Sequence, residues 1–115
     1  MKLILATALL SLALAAPATS ATSATTLTGT VGPGFTISLT VAGKKVSKLK
    51  AGTYTIKVSD KSSIHDFHLT GPGLSKSTSV GGTGAKTWIV KLKRGKYHYQ
   101  CDPHASIMNG NFTVT

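Results

Sequence analysis

Apolar and polar residues alternate along most of this chain. From Leu27 onward nearly every segment reads with period two: Phe35, Ile37, Leu39 and Val41 are separated by Thr36, Ser38 and Thr40. The same alternation returns in Tyr54, Ile56 and Val58, in Trp88, Val90 and Leu92, in Tyr97, Tyr99 and Cys101, and in Phe112 and Val114. Successive side chains of an extended chain point to opposite faces, so each run predicts a half-buried strand. Glycine-containing breaks separate the runs, at Gly32-Pro33-Gly34, Ala42-Gly43-Lys44, Gly71-Pro72-Gly73, Gly81-Gly82-Thr83-Gly84 and Asn109-Gly110. No segment carries a sustained helical stripe. Short strands with frequent turns predict an all-β domain, a sandwich or a barrel.

An internal echo narrows that choice. Lys48-Leu49-Lys50-Ala51-Gly52-Thr53-Tyr54 and Lys91-Leu92-Lys93-Arg94-Gly95-Lys96-Tyr97 share the pattern K-L-K-x-G-x-Y. Such a run suits a chain crossing from one sheet to another, with the tyrosine hydroxyl bonding back to nearby backbone as in a tyrosine corner. Two copies favour a Greek-key β-sandwich over an ordinary turn that happens to precede a tyrosine.

The first residues do not belong to that pattern. Met1-Lys2 and the apolar run Leu3 to Leu14 have a basic start and a hydrophobic stretch too short to span a membrane, followed by small residues around Ala13-Leu14-Ala15 and Ala16-Pro17-Ala18. Residues 1–18 therefore read as a secretory signal peptide, residues 19–26 as a flexible Ser/Thr/Ala tether, and residues 27–115 as one domain. The mature product is expected to be exported, to the periplasm or to the cell exterior or envelope, as a monomer that does not insert into the membrane. Small exported domains often rely on disulfides, but a single cysteine cannot form one within the chain. A bound metal is the alternative staple.

Charge is lopsided. Without Lys2 the chain carries 12 basic and 3 acidic side chains, a balance of +9. This favours acidic partners and anionic wall or membrane surfaces. Nucleic acid is a poor match for an exported protein whose lysines are dispersed at strand ends and solvent-facing positions.

The chemistry concentrates between the last two strands. Cys101 ends an alternating run, and His104 and Met108 follow it in the spacing C-x2-H-x3-M. Thiolate, imidazole and thioether on one loop form a soft, mixed donor set that suits copper, especially when a second histidine completes it. Pro103 restricts the turn between the first two donors, and Gly110 lets the chain resume a strand. The second histidine must come from elsewhere, from His65, His68 or His98. Residues three apart on a strand face opposite ways, so His65 and His68 cannot both serve one site, and His98 lies opposite Cys101.

Ile64-His65-Asp66-Phe67-His68-Leu69-Thr70-Gly71-Pro72-Gly73, with Tyr97-x-Tyr99-x-Cys101-x-x-His104 and Met108-x-Gly110-x-Phe112, resembles the cupredoxins, in particular the small bacterial plastocyanin-like blue-copper proteins. The likeness covers the domain from about Leu27 to Thr115. It implies one type 1 copper ion held by His65, Cys101, His104 and Met108, His65 being chosen because a polar residue follows it. It also implies an electron carrier cycling between Cu(II) and Cu(I), not an enzyme, since four protein ligands leave no open position for a substrate. Two departures stand out. Asp66 occupies the place where plastocyanins have Asn, and the spacing from His104 to Met108 lies between the amicyanin-type and plastocyanin-type loops.

The resemblance further implies that electrons leave through His104. Pro33, Phe35, Pro72, Pro103, Ala105 and Ile107 would form an apolar surface around its edge, and lysines around that surface would steer a redox partner with an acidic docking face. Three other readings remain open: copper storage or delivery with the same ligands, a metal-free adhesion or wall-binding domain, and a thiol enzyme using Cys101 and His104 with Asp66 or Asp102 as orienting group.

Overall fold

The computed structural model describes residues 11–14 and 23–115. The signal-peptide reading, apart from residues 11–14, and the tether residues 19–22 lie outside the described residues. Among the described residues no helix is long and apolar enough to cross a membrane. The strands follow in the order β1 (Thr25–Val31), β2 (Ile37–Val41), β3 (Lys44–Lys45), β4 (Lys48–Leu49), β5 (Gly52–Asp60), β6 (His68–Gly71), β7 (Leu74–Ser77), β8 (Gly84–Leu92), β9 (Gly95–Gln100) and β10 (Asn109–Val114). The only helical element among these residues is a single 3-10 turn at Asp102–His104.

Two five-stranded sheets result, one ordered β3-β2-β1-β5-β8 and the other β4-β10-β9-β6-β7. β1 runs parallel to β5 and β4 parallel to β10, while the remaining pairs are antiparallel. The chain passes from one sheet to the other after β3, β4, β5, β7 and β8, which is the expected all-β Greek-key sandwich. Alternation explains the core. On β5, Tyr54, Ile56 and Val58 are buried and Thr53 and Lys57 are exposed; Val90 and Leu92 of β8, Tyr97 and Tyr99 of β9, and Phe112 and Val114 of β10 close the interior. Phe67 stacks on Tyr99 and Tyr97 on Phe112, with centroids 5.5 and 5.1 Å apart. These rings stack in two pairs within the interior between the sheets.

The periodicity misplaces three segments. Phe35 is not part of β2 and is 56% exposed, because the strand begins at Ile37 after the Gly32–Thr36 loop closes on itself through Gly32 N–H to Thr36 O at 2.9 Å. Asn109-Gly110 is not a break but the start of β10, where Gly110 sits opposite Tyr99 and leaves room for its ring. Thr25 and Thr26 pair with Tyr54 and Thr55, so the first strand begins two residues before Leu27. Threonine is β-branched and settles readily into a strand when a partner is supplied.

Both repeats are tyrosine corners. Tyr54 Oη donates to Lys50 O at 2.6 Å. Tyr97 Oη donates to Lys93 O and accepts from Lys93 N–H, both at 2.9 Å. The glycine of the second copy has φ +145°, and a Cβ there would come within 2.6 Å of Pro72 Cγ. Because Tyr97 carries two hydrogen bonds and Tyr54 one, Tyr97→Phe is expected to cost about 1–3 kcal/mol and Tyr54→Phe about 0.5–1.5 kcal/mol. Urea unfolding of the two variants checks the order.

Candidate metal centre

One end of the sandwich is built from three loops: Gly32–Thr36, Lys61–Phe67 and Cys101–Met108. β5 delivers the second of these. Its last residue, Asp60, accepts the Ser62 N–H at 2.9 Å, Ser62 Oγ accepts the Ile64 N–H at 3.3 Å, and Lys61 N–H reaches Val31 O at 2.9 Å. These short-range bonds turn the chain so that His65 enters the interior, where it is fully buried. Phe67 is then pinned by its N–H to Thr78 Oγ1 at 2.9 Å and by Thr78 N–H to Phe67 O at 3.1 Å.

The Cys101–Met108 loop is tied at both ends. Cys101 N–H donates to Met108 O at 3.0 Å, His104 N–H to Cys101 O at 3.0 Å, and Met108 N–H to His104 O at 2.9 Å. Asn109 Nδ2 donates to Ala105 O at 2.8 Å. A loop closed by four such bonds holds its side chains in a fixed relation. Cys101 and Met108 are fully buried, and His104 is half-buried with its edge toward the surface.

The outcome is a triangle of donor atoms. His65 Nδ1 lies 3.0 Å from His104 Nδ1, and Cys101 Sγ lies 3.6 and 3.5 Å from those two nitrogens. The point equidistant from the corners of a 3.0, 3.5 and 3.6 Å triangle is about 2.0 Å from each, the length of a metal–imidazole bond and a little short of a metal–thiolate bond. Three lone pairs aimed at one point are what a soft transition-metal ion requires. The donor set therefore fits a metal before any relative is consulted. Phe35 roofs it, meeting the His65 and His104 rings edge-on at 5.2 and 4.9 Å.

Backbone and side-chain groups both act on the Cys101 sulfur. Burial pushes the Cys101 thiol above its ordinary value of 9.0, opposed by the N–H groups of Asp66 and His104. Metal binding then has to displace the thiol proton. The Asp66 N–H reaches Sγ at 3.5 Å, and Asp66 Oδ1 accepts the Asp102 N–H at 2.6 Å. This bond needs only an acceptor, which is why a carboxylate can stand where plastocyanins have Asn.

Asp66 nevertheless sits in a costly place. Burial raises its carboxyl above 3.8, the Asp102 N–H opposes this, and the neighbouring Asp102 carboxylate adds to the rise. A carboxyl raised on folding stabilises the fold below its unfolded value and loses that contribution as pH climbs through its folded value. Asp66→Asn keeps the acceptor and deletes the charge. The metal-free variant is expected to melt higher than the parent at pH 7, with the gap closing toward pH 4, as thermal unfolding across that range will register.

The other two histidines face away from the centre. His68 opens β6, and its Nδ1 lies 3.0 Å from each Asp102 carboxylate oxygen, with Nε2 2.9 Å from Ser75 Oγ. Against the cost of its partial burial, hydrogen bonds from Gln100 and His68 hold the Asp102 carboxyl below 3.8. On the outer face of β9, His98 contacts Asn111 Oδ1 at 2.7 Å and Gln100 Oε1 at 3.0 Å. His65 stands in a loop and not on a strand, so strand facing does not select it; its Nδ1 nevertheless lies beside His104 and Cys101, whereas that of His68 lies beside Asp102. Pro72, expected beside His104, lies at the β6–β7 turn against Gly95, at the other end of the sandwich, because β6 starts at the metal centre and runs away from it. Sequence reading missed the roles of Thr78 and of the His68–Asp102 pair, since both depend on cross-loop contacts with no spacing signature.

The sequence matches the family described as copper binding proteins, plastocyanin/azurin family, over residues 34–115. Among solved structures the chain is similar to rusticyanin from Thiobacillus ferrooxidans, with 22% identity over 78% of this chain and 76% of that one, at a TM-score of 0.55. Reduced rusticyanin matches with 22% identity over 82% of each chain at a TM-score of 0.57. A methionine-to-glutamine variant of rusticyanin matches with 21% identity over 78% and 76%, at 0.59. At these identities the likeness establishes the fold. No curated protein sequence matches the chain closely enough to count as a relative.

Proposed function

Because this chain belongs to the plastocyanin/azurin family of copper-binding proteins, we propose that it is an exported electron carrier whose copper ligands are His65, Cys101, His104 and Met108. The convergence of the His65, His104 and Cys101 donor atoms within 3.0–3.6 Å carries the reading. Bound copper would supply one-electron exchange between Cu(II) and Cu(I). The rest is done by the chain's own groups. Two imidazoles and a thiolate on a loop tied at both ends provide a trigonal set that need not rearrange when charge changes. Met108, buried at the end of that loop, would supply the thioether as the fourth donor. The Asp66 N–H offers a hydrogen bond to the sulfur, and Phe35 excludes water from the two rings.

His104 is the exit, since it is the one nitrogen ligand of this set with a surface edge. Exposed Phe35, Ile64 and Ile107 surround it, together with Pro33 and Pro103. A small apolar rim of this kind suits brief, poorly specific encounters with a redox partner. Lys61 is the single cation on the three loops of this end. Apolar contact is therefore the local attraction, and steering by charge acts from a distance. A thiol enzyme is the weaker reading, because an activated thiol is held low, not pushed up, and Asp66 and Asp102 bond groups other than His104.

Adding Cu(II) to the purified protein is expected to give an intense visible thiolate-to-copper charge-transfer band at one ion per chain. A colourless protein whose Cys101 is freely alkylated in the presence of copper sinks the proposal. Rapid loss of the band to a mild chelator would instead favour storage or delivery.

A further inference from the structure

The corner motif leaves something unexplained. Leucine, glycine, tyrosine and the lysine backbone build the turn, but the lysine side chains of K-L-K-x-G-x-Y play no part in it. Strand direction shows where they lie. β5 runs from Gly52 toward the metal centre at Asp60, and β8 returns, pairing Asp60 with Gly84 and Gly52 with Leu92. β9 starts at Gly95 and finishes beside Cys101. Both corners therefore stand at the end of the sandwich remote from the centre. Lys48, Lys50, Lys91, Lys93, Arg94 and Lys96 gather at this end, all exposed, while Lys44 and Lys45 of β3 lie halfway along the sandwich, level with Ile56 and Lys57. The side-chain carboxylates of the chain are Asp60, Asp66 and Asp102, and each belongs to the opposite end, closing β5 or following His65 or Cys101. The molecule is a charge dipole along its strands.

We propose that the basic end is a docking surface for an anionic lipid bilayer, and that it holds the protein with its metal centre facing away from the membrane. Uniform sign is the first support, because clustered cations near an anionic surface attract additively. Rigidity is the second: the corner hydrogen bonds of Tyr54 and Tyr97 fix the backbone that presents Lys50 and Lys93. The third is a shallow depression lined by Ser47, Lys96, Tyr97, Asn111, Phe112 and Thr113, where Lys48 and Lys96 flank Thr113 on adjacent strands. Hydroxyl, amide and ammonium donors suit a headgroup phosphate.

A bilayer fits better than an acidic protein. The exposed large apolar residues are Phe35, Ile64 and Ile107 at the metal end, Val80 in the β7–β8 loop, Ile89 standing alone on β8 opposite Thr55, and residues of the N-terminal segment. The desolvated anchor that organises a protein interface is thus missing from the basic end. A spread of lysines without such an anchor matches a fluid array of headgroups and predicts peripheral, salt-sensitive attachment.

Co-sedimentation of the purified protein with vesicles tests this, and it can be run without metal, so it stands apart from the copper reading. Binding is expected to vesicles of phosphatidylcholine with phosphatidylglycerol, not to phosphatidylcholine alone, and to vanish by about 0.5 M NaCl. Lys48→Glu/Lys93→Glu should weaken it by about 25-fold or more, at roughly fivefold for each cation removed. The charge-matched pair Lys57→Glu/Lys76→Glu, on exposed strand positions away from this end, should weaken it far less. Equal losses in the two pairs would mean that net charge alone acts, and would overturn the proposal. Equal binding to phosphatidylcholine alone would place the contact on residues 3–14, and capture of a soluble acidic protein with no vesicle binding would make the face a protein interface; either overturns it too. Paramagnetic lipid headgroups should broaden the amide signals of residues 48–50 and 91–96 and spare those of 102–107, and the reverse pattern would overturn the orientation.

Discussion

Cys101→Ser is expected to leave the sandwich folded and abolish the visible band entirely. The substitution is nearly isosteric, and the bonds that close the loop are made by backbone, Cys101 N–H to Met108 O and His104 N–H to Cys101 O, both at 3.0 Å. The fold therefore keeps its supports, and metal-free melting should shift by no more than about 1 kcal/mol. What disappears is the sulfur lone pair that the two imidazole nitrogens face at 3.5 and 3.6 Å. A serine hydroxyl is a harder donor that does not ionise near neutrality, so the thiolate transition and most of the metal-induced rise in melting temperature go together. Histidine variants separate the fourth ligand. His65→Ala should be colourless, whereas His68→Ala should stay coloured, because His68 binds Asp102 and Ser75 on the outer face. Absorption spectra and paired melts with and without Cu(II) read both outcomes. Colour in His65→Ala and none in His68→Ala would refute the assignment.

Gly110→Ala should cause a large loss of stability for so conservative a change. A Cβ at this position would overlap the Tyr99 ring and its hydroxyl. Tyr99 cannot swing aside, because it is stacked on Phe67 with centroids 5.5 Å apart and planes 9° from parallel. Either the stack or the β9–β10 pairing must yield, at a cost of about 1–3 kcal/mol or more. Since Asn109 pairs with Gln100 and Met108 directly precedes it, strain there should also reach the loop. Gly34→Ala supplies the comparison: nothing lies within 4 Å of its Cβ position, and its stability should stay within about 0.5 kcal/mol of the parent. Urea midpoints with an unchanged slope would establish the contrast.

Much of the fold was legible in short-range pattern. Tyr54, Ile56 and Val58, or Tyr97, Tyr99 and Cys101, alternate because one face of each strand must be dry, and that constraint is written residue by residue. The two tyrosine corners were legible for the same reason, since their hydrogen bonds join residues four apart. β6 and β7 were not, being four residues each with Leu69 alone buried in the hydrophobic core. Phe35 reads as a core residue by its spacing, and only the closing of the Gly32–Thr36 loop turns it onto the imidazoles.

By itself the sequence determined which chemistry this protein can hold: a thiol, an imidazole and a thioether spaced along one loop, in a chain built of strands. Local spacing carries that information because Cys101, His104 and Met108 are neighbours in the chain. Tertiary structure decided the rest. His65 meets Cys101 across 36 residues, and Asp66 takes the Asp102 N–H across the same interval. Those meetings depend on how two sheets register against each other, a property of the packed whole. The same registry gathers Lys48, Lys50, Lys91, Lys93, Arg94 and Lys96 at one end and the side-chain carboxylates at the other, turning a bare balance of charge into a direction.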